Sequence, residues 1–568
     1  MQQLAGLDAS FLHLETAQMP MHVGSLHLLE LPAGHDGDFA EALRAHLRAR
    51  LPLLPALRRR LVAMPLALSN PGWEDAEPDL EAHIVEISLP DGSGMAALEA
   101  AVGQLHPVLL DRSRPLWKFH VFSGLAPGPE GELRVGLYTQ LHHATVDGQA
   151  AVALAQVMLD LTPTPEPPSG GGASATASRQ RRSPPGKVGM LRAAVAQQWR
   201  QSVKLARSLP QVATVLGSMA AQSLGAAAAE ASMGKLRSLL ARVATQTTAV
   251  VRGQRAISGL GPAPRTRFNV SVSATRSFAT VSLPLAELNR ARRRHQASLN
   301  DAVLFVIGGA LRRFLTKHSP LPRKSLIAAV PVSLRASGDT TANNQATMSL
   351  VSLGTQLSDP LARLAHVMAS SATMKAQMSQ LKHLMPTDFP SLGLPWLMHA
   401  GALLYGRAQV AEKLPVVANV LISNVPGPQV PLYLAGARML TSYPTSIAVH
   451  GLALNVTVQT YHQSLDIGLM ACGHACPETA ELAAYVETAF MEFLALPVAR
   501  QPAQNPATPA SQTAPAPTRK PRAKRATAAP GAPQKLSAKN APAKKVPAKK
   551  APAKKAARVA QKSRPRPG

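Results

Sequence analysis

The chain has 568 residues, a formal charge of +28 and two cysteines, Cys472 and Cys476. This length exceeds what one hydrophobic core normally stabilises, so we expect two domains with accessory segments. Two cysteines are too few for a disulfide framework and indicate a reducing compartment, and we interpret their spacing of four as incidental rather than as a redox pair. The lack of a long apolar run argues against a membrane span, and the acidic residues within 1–17 argue against a signal peptide. We therefore expect a cytoplasmic protein.

In the predicted first domain, residues 1–165, apolar and polar residues alternate from 133 to 141. This period of two predicts a half-buried β-strand. Residues 149–161 are rich in Ala, Val, Leu and Met at helical spacing and predict a helix. The heptapeptide HHATVDG, residues 142–148, therefore occupies a short strand-to-helix loop, where rigid elements on both sides can aim side chains at a ligand.

This heptapeptide holds four candidate site residues, His142, His143, Asp147 and Gly148. An imidazole titrates near neutrality and can take a proton from an alcohol. Asp147 could orient a ring nitrogen, cap the helix or pair with an arginine, and Gly148 allows backbone and substrate to approach closely. Because no HExxH or CxxC motif accompanies the histidines, we predict catalysis rather than a metal site.

The middle of the chain is predicted to connect two domains. Residues 166–189 are rich in Pro, Gly and Ser and predict a flexible linker. In the following connector, residues 190–260, basic residues are interleaved with apolar ones, and we expect a helical segment over 190–256. Two interpretations stay open: an interfacial helix that binds anionic membranes or lipid inclusions, or a helix packed between the domains with a solvated basic face.

The predicted second domain covers residues 261–500. It contains a predicted helix at 299–317, a strand at 326–332, and two paired strands at 452–461 and 465–470. Because strands and helices mix in both halves of the chain, we expect an α/β fold.

The C-terminal tail, residues 501–568, contains 17 Lys and Arg and no Asp or Glu. Its Pro density and PAKK repeats prevent a continuous helix, and it has too few large apolar residues for a core, so we predict disorder. Such a cationic chain is expected to bind polyanions in a salt-sensitive manner, and we favour nonspecific contact with DNA.

The pattern HHxxxDG resembles the signature of the CoA-dependent acyltransferase superfamily. Further blocks, in the same order along residues 4–496, resemble the bacterial wax ester synthase/diacylglycerol acyltransferase family. These blocks are residues 4–30, Pro115-Leu116-Trp117, Asn300-Asp301, residues 330–335, Asn344 and residues 423–428. Six ordered blocks around one catalytic motif are a strong signal of that family.

The resemblance implies two chloramphenicol-acetyltransferase-like domains with the active-site channel between them. It implies transfer of a long-chain acyl group from acyl-CoA to diacylglycerol or a long-chain alcohol, with His143 as general base. Acyl-CoA is then a co-substrate, and no cofactor or metal is expected. The hydrophobic products imply an enzyme that is peripheral to the inner membrane or to lipid inclusions.

The resemblance also implies roles for other residues. Asn300 is the candidate oxyanion donor, with a helix N-cap as the competing interpretation. His142 supports the loop, and Asp147 holds it by pairing with an arginine, for which Arg335 is the candidate. The remaining positions are assigned to the substrate channel or to structural motifs: Pro115, Leu116, Trp117, Asp301 and Asn424.

Three positions depart from the family pattern. Asn343 stands where Gly is usual, residues 353–355 read Leu-Gly-Thr instead of Leu-Pro-Thr, and the turn at 461–464 lacks a Gly. They lie away from the histidine loop and bear on substrate preference. Two other functions stay open: a superfamily acyltransferase or condensation enzyme with a carrier-protein donor or an amine acceptor, and a granule- or DNA-tethering protein that acts through its tail.

Overall fold

The computed structural model describes residues 2–4, 6–64, 70–146, 148–164, 261–333, 346–381, 406 and 409–497. Its strands are β1 (Gln2–Gln3), β2 (His22–Glu30), β3 (Arg59–Val62), β4 (Gly72–Asp75), β5 (Ile84–Ser93), β6 (Trp117–Leu125), β7 (Arg134–His142), β8 (Arg276–Pro284), β9 (Ile327–Ser333), β10 (Ala346–Ser352), β11 (Val420–Val425), β12 (Tyr433–Leu434), β13 (Ala437–Met439), β14 (Tyr443–Thr445), β15 (Leu454–Tyr461) and β16 (Ser464–Cys472). Its α-helices are α1 (Gly6–Leu14), α2 (Phe39–Arg50), α3 (Leu80–His83), α4 (Met95–Leu105), α5 (Gly148–Met158), α6 (Leu285–Arg294), α7 (Leu299–His318), α8 (Pro360–Leu381), α9 (Val410–Lys413) and α10 (Thr479–Leu494).

The first large sheet has the strand order β12-β13-β2-β7-β6-β5, and β14 also pairs with β2. Its pairs are antiparallel except for β5 with β6, which is parallel. Residues 1–165 alone do not complete this sheet, because β12, β13 and β14 come from residues 433–445. The strands β1, β4 and β3 form a separate small sheet.

Strand β7 lies in the middle of this sheet, between β2 and β6. Its odd-numbered apolar residues belong to a hydrophobic cluster that also contains apolar residues of α2. On the other face, Tyr138, Gln140 and His142 are buried too. The predicted strand is confirmed, but the expectation of a half-buried strand is wrong. Both faces are covered, because the polar face of β7 packs against other buried polar groups.

The second large sheet has the order β10-β9-β11-β15-β16-β8. The central strands β9, β11 and β15 run parallel, and the outer pairs are antiparallel. Helices α7 and α10 supply many of the apolar residues that share its largest hydrophobic cluster. The predicted helices at 149–161 and 299–317 and the predicted strands of the second half are confirmed within a few residues as α5, α7, β9, β15 and β16. The α/β class is confirmed as well.

The tight turn between β15 and β16 is made without glycine. His462 occupies the turn with a φ of 47°, in the left-handed region that residues with a Cβ atom seldom adopt. Its backbone N–H donates to the Pro428 carbonyl, 2.9 Å away. The missing glycine noted in the sequence is therefore a site of local backbone strain.

Several predicted segments lie outside the described residues: the linker 166–189, the connector 190–260 and the tail 501–568. Within the described ranges, no helix has the length and apolar character required to cross a membrane.

Candidate active site

The backbone of the two histidines is fixed by its neighbours at the end of β7. His142 is the last residue of β7 and lies opposite His22 of β2 in the antiparallel register. Its N–H donates to the Leu116 carbonyl at 3.0 Å, and the N–H of His143 donates to the Met21 carbonyl at 2.8 Å. The histidine pair is thus held between the N-terminal block and the Pro-Leu-Trp block.

The His143 ring is half-buried and stacks on the ring of Phe11 in α1. The ring centroids are 4.1 Å apart and the planes differ by 10°. This contact fixes the plane of the imidazole. An aromatic face also attracts a cation, so it favours the imidazolium that forms when the ring accepts a proton.

His142 is only 1% exposed and has a different environment. Its Nδ1 accepts a hydrogen bond from the Ala144 N–H at 3.0 Å, which ties the start of the loop to the strand. Its Nε2 lies 3.2 Å from Oε1 of Glu15. Burial lowers the pKa of His142, although the Glu15 carboxylate acts in the opposite direction. Of the two imidazoles, His143 is therefore the one placed to meet a substrate.

Glu15 and His22 extend the site beyond the predicted residues. Glu15 is 3% exposed, and Arg112 donates to its Oε2 at 2.7 Å. Nε2 of His22 lies 3.4 Å from Oε1 of Glu15. Burial alone would raise the pKa of Glu15, but the adjacent imidazoles of His142 and His22, together with Arg112, hold this pKa well below the usual range. The site therefore contains a buried carboxylate anion.

A second layer of polar groups lies behind His22. Gln140 Nε2 is 2.9 Å from His22 Nδ1, and the phenol of Tyr138 is 2.7 Å from Nδ1 of His106. His120 stacks on Tyr138 with ring centroids 5.7 Å apart. Burial lowers the pKa of His120 to about 4 and that of His106 well below its usual value. These imidazoles are neutral at physiological pH.

The Pro-Leu-Trp block is part of the protein interior. Trp117 is 1% exposed, stacks on His83 at 4.2 Å and donates from Nε1 to the Leu57 carbonyl at 2.9 Å. Leu116 is fully buried, in a cluster that includes Ala144 of the histidine loop. Pro115, also buried, leads into β6. The block therefore supports the histidine loop through packing and through the Leu116 carbonyl.

The Asn-Asp block begins α7, but Asn300 is not its N-cap. The N-cap is Ser298, whose hydroxyl accepts the Asp301 N–H at 3.2 Å. The Asp301 carboxylate in turn accepts the Ser298 N–H at 2.9 Å, which completes a capping box. The N-cap interpretation of Asn300 is therefore wrong. Asn300 lies half-buried in the first turn of α7, and its role as an oxyanion donor stays a prediction.

The remaining predicted residues are spread over the fold. Gly148 is the first residue of α5, and Asn424 lies half-buried in β11, opposite Val458 of β15. Three predicted residues lie outside the described residues: Asp147, Arg335 and Asn344. Their roles stay predictions.

Two further features concern metal and thiol chemistry. Within the described ranges, no group of three or more His, Cys, Asp or Glu is arranged to hold a metal ion. Cys472 and Cys476 are both buried free thiols. Cys472 ends β16, and burial raises the pKa of Cys476 to about 11, so this thiol is protonated at neutral pH.

Comparison with known proteins places this chain in a family. Residues 4–303 match the wax ester synthase/diacylglycerol acyltransferase catalytic domain, and residues 342–493 match the WS/DGAT C-terminal domain. The chain belongs to the wax ester synthase/diacylglycerol acyltransferase family. A putative diacylglycerol O-acyltransferase of Mycobacterium tuberculosis is 34% identical over 494 residues, covering 86% of this chain and 99% of that protein. The O-acyltransferase WSD of Acinetobacter baylyi is 31% identical over 502 residues, covering 87% and 97%.

A solved member of the WS/DGAT family has the same fold. The wax ester synthase/diacylglycerol acyltransferase of Marinobacter aquaeolei is 26% identical and superposes with a TM-score of 0.58, covering 87% of this chain and 98% of that one. These relationships confirm the predicted family and the predicted enzyme class, an O-acyltransferase. The roles of individual residues in this WS/DGAT member stay predictions.

Proposed function

We propose that this WS/DGAT member transfers a long-chain acyl group from acyl-CoA to diacylglycerol or a long-chain alcohol, forming triacylglycerol or wax ester. The acceptor classes are supported by its relatives, which are named as diacylglycerol O-acyltransferases or, for the solved relative, as a wax ester synthase as well. The observation that carries the proposal is the placement of His143. It is half-buried, its N–H donates to the Met21 carbonyl, and its ring stacks on Phe11.

In the proposed reaction, His143 takes the proton of the acceptor hydroxyl as its oxygen attacks the thioester carbonyl carbon. The tetrahedral intermediate then breaks its carbon–sulfur bond, and the imidazolium returns the proton to the CoA sulfur. A well-placed general base typically contributes on the order of 10² to 10⁴ in rate. The acyl group passes directly between the two substrates, with acyl-CoA as co-substrate and no resident cofactor in the scheme.

The oxyanion of the intermediate requires a hydrogen-bond donor. Asn300 is the proposed donor, since its amide lies in the first turn of α7, where the helix dipole also favours negative charge. Loss of one such donor typically lowers turnover by roughly 10² to 10³.

The test of the base is His143→Ala, assayed with palmitoyl-CoA and either hexadecanol or diacylglycerol. We expect turnover to fall by about 10² or more, with the melting temperature close to that of the wild type. His474→Ala is the control, because His474 is an exposed histidine in the loop after β16, a strand of the second sheet. If His143→Ala keeps more than roughly a tenth of the wild-type rate, His143 is not the base.

We further propose that the enzyme works at a lipid surface, peripheral to the inner membrane or to lipid inclusions. The support is the sequence of residues 190–256, where basic residues are interleaved with apolar ones. Flotation with anionic vesicles, using protein truncated after residue 500, should give binding at low salt that weakens at high salt. No binding at low salt would refute this location.

The tail, residues 501–568, is proposed to bind DNA without sequence preference. Its 17 basic residues and lack of acidic ones favour phosphates, and each contact releases counterions. A gel shift of the full chain against a 1–500 truncation at about 50 mM salt should show tighter binding by the full chain. Equal DNA affinity would rule out the tail, and the acyl-transfer rates of the two forms should match.

A further inference from the structure

The carboxylate of Glu15 connects the groups that surround the histidine pair. Its Oε1 lies 3.2 Å from His142 Nε2 and 3.4 Å from His22 Nε2, and it accepts the Met21 N–H at 3.3 Å. Its Oε2 accepts from Arg112 at 2.7 Å. The proposed reaction above gives this carboxylate no role.

The contacts of Glu15 determine which nitrogen of His142 carries the proton. The Ala144 N–H donates to Nδ1, so Nδ1 is an acceptor and holds no proton. A neutral His142 then carries its proton on Nε2, which lies 3.2 Å from Oε1 of Glu15. The loop backbone therefore selects one tautomer and one ring orientation, and the adjacent anion stabilises the form with the proton on Nε2.

The same carboxylate reaches the backbone that holds His143. The Met21 N–H donates to Glu15, while the Met21 carbonyl accepts the N–H of His143. The Glu15 N–H donates to the carbonyl of Phe11, whose ring stacks on His143. Glu15 is thus hydrogen-bonded to Met21 and to Phe11, the two residues that contact His143.

We propose that Glu15 is a positioning residue for acyl transfer. It holds the His142 ring in the tautomer that anchors Ala144, and it holds the Met21 peptide that carries His143. This inference rests on the proposed function of His143 as the base. Displacement of a reacting group by about 1 Å can lower a rate on the order of 10²-fold, so loss of this anchor should appear in turnover.

The first experiment compares Glu15→Gln with Glu99→Gln. Glu99 is a matched control because its carboxylate also accepts hydrogen bonds inside the protein, from the N–H and hydroxyl of Thr280, away from the histidines. Glu15→Gln should lower kcat roughly 10- to 100-fold with a near-normal KM for palmitoyl-CoA, and Glu99→Gln should stay within about twofold of the wild type. A folded Glu15→Gln variant with wild-type kcat would overturn the proposal.

The second experiment acts from the surface and remains informative if Glu15→Gln fails to fold. Arg112 and Arg114 have side chains that are 47% and 46% exposed, but Arg112 pairs with Glu15 whereas Arg114 pairs with Asp79. Arg112→Gln should lower kcat about three- to fivefold, since half-exposed ion pairs contribute modestly. Arg114→Gln should leave it unchanged. Equal rates for the two variants would count against the proposal.

The pH profile of kcat/KM separates positioning from a general loss of fold. The charged and titratable groups in contact with Glu15 are His142, His22 and Arg112. Glu15→Gln removes an anion and should move the ascending limb to lower pH, because a nearby negative charge favours the imidazolium. Arg112→Gln removes a cation and should move this limb to higher pH, because a nearby positive charge disfavours the imidazolium.

An ascending limb that keeps its wild-type position in both variants would contradict positioning. If His143→Ala keeps more than roughly a tenth of the wild-type rate, the proposed role of His143 as the base fails. If His143→Ala is inactive but the Glu15 and Arg112 variants behave as wild type, this inference alone fails.

Discussion

Acidification should destabilise the fold through His120, and the size of the effect follows from its environment. His120 is 4% exposed, and burial lowers its pKa from 6.5 to about 4, despite the contact of its Nε2 with Gln140. Between these two values the unfolded chain binds a proton that the folded protein does not. The contribution to stability is therefore complete above pH 6.5 and is lost as the pH falls towards 4. At pH 5 the loss comes to about 2 kcal/mol.

The variant His120→Phe isolates this contribution, because a phenyl ring can keep the stack on Tyr138 and cannot be protonated. Urea unfolding at pH 7 and at pH 5 gives, for each protein, the unfolding free energy that is lost on acidification. Other buried histidines, such as His106, contribute equally to both proteins and cancel. We expect the wild type to lose about 2 kcal/mol more than the variant. Losses that agree within about 0.5 kcal/mol would refute the reasoning.

Three further predictions concern the site, the pairing of β2 with β7, and the turn between β15 and β16. Phe11→Leu should lower kcat by roughly 2- to 30-fold, which corresponds to a loss of about 0.5–2 kcal/mol of ring–imidazolium attraction at His143. The melting temperature of the variant checks that it remains folded. Gly24→Ala should lower the unfolding free energy by about 1–3 kcal/mol or more, because the new Cβ would lie 1.7 Å from a carbonyl oxygen of β7. Gly37→Ala is the control and should be nearly neutral, because Gly37 is exposed and its new Cβ would meet only one side-chain atom, at 3.9 Å. His462→Gly should raise the unfolding free energy by about 0.5 kcal/mol, because His462 has a φ of 47° and relief of roughly 1–2 kcal/mol of left-handed strain exceeds the roughly 0.5–1 kcal/mol of extra unfolded-chain entropy of glycine. A lower urea midpoint would argue against strain there.

The sequence predicted those strands and helices whose pattern of apolar residues lies within a short stretch of the chain. The alternation before residue 142 and the helical spacing after residue 148 specified a strand and a helix, and β7 and α5 confirm both. The start of α7 was predicted less well. Ser298 and Asp301 stand three positions apart, which is the spacing of a capping box, and this pair rather than Asn300 begins the helix.

The buried polar network could not be predicted in this way. Gln140 and His22 are 118 positions apart and Arg112 and Glu15 are 97 apart, yet each pair is in direct contact. A polar residue on an alternating strand normally faces solvent, so the pattern of β7 gave the wrong expectation for Gln140. The available signal is the block at 4–30, which contains Glu15 and His22. A block match identifies a family but does not show which of its side chains are buried.

The late strands of the first sheet affect the order in which the protein can fold during synthesis. His27 in β2 contacts the Thr441 carbonyl, 414 positions further along the chain, and β13 and β14 cover the same edge of β2. That edge stays open while the ribosome makes the whole intervening chain. An unpaired strand edge is a template for pairing with other chains. The nascent enzyme therefore depends on protection of β2 until residue 445 has emerged, and truncation before β13 should yield an aggregating chain rather than a smaller stable domain.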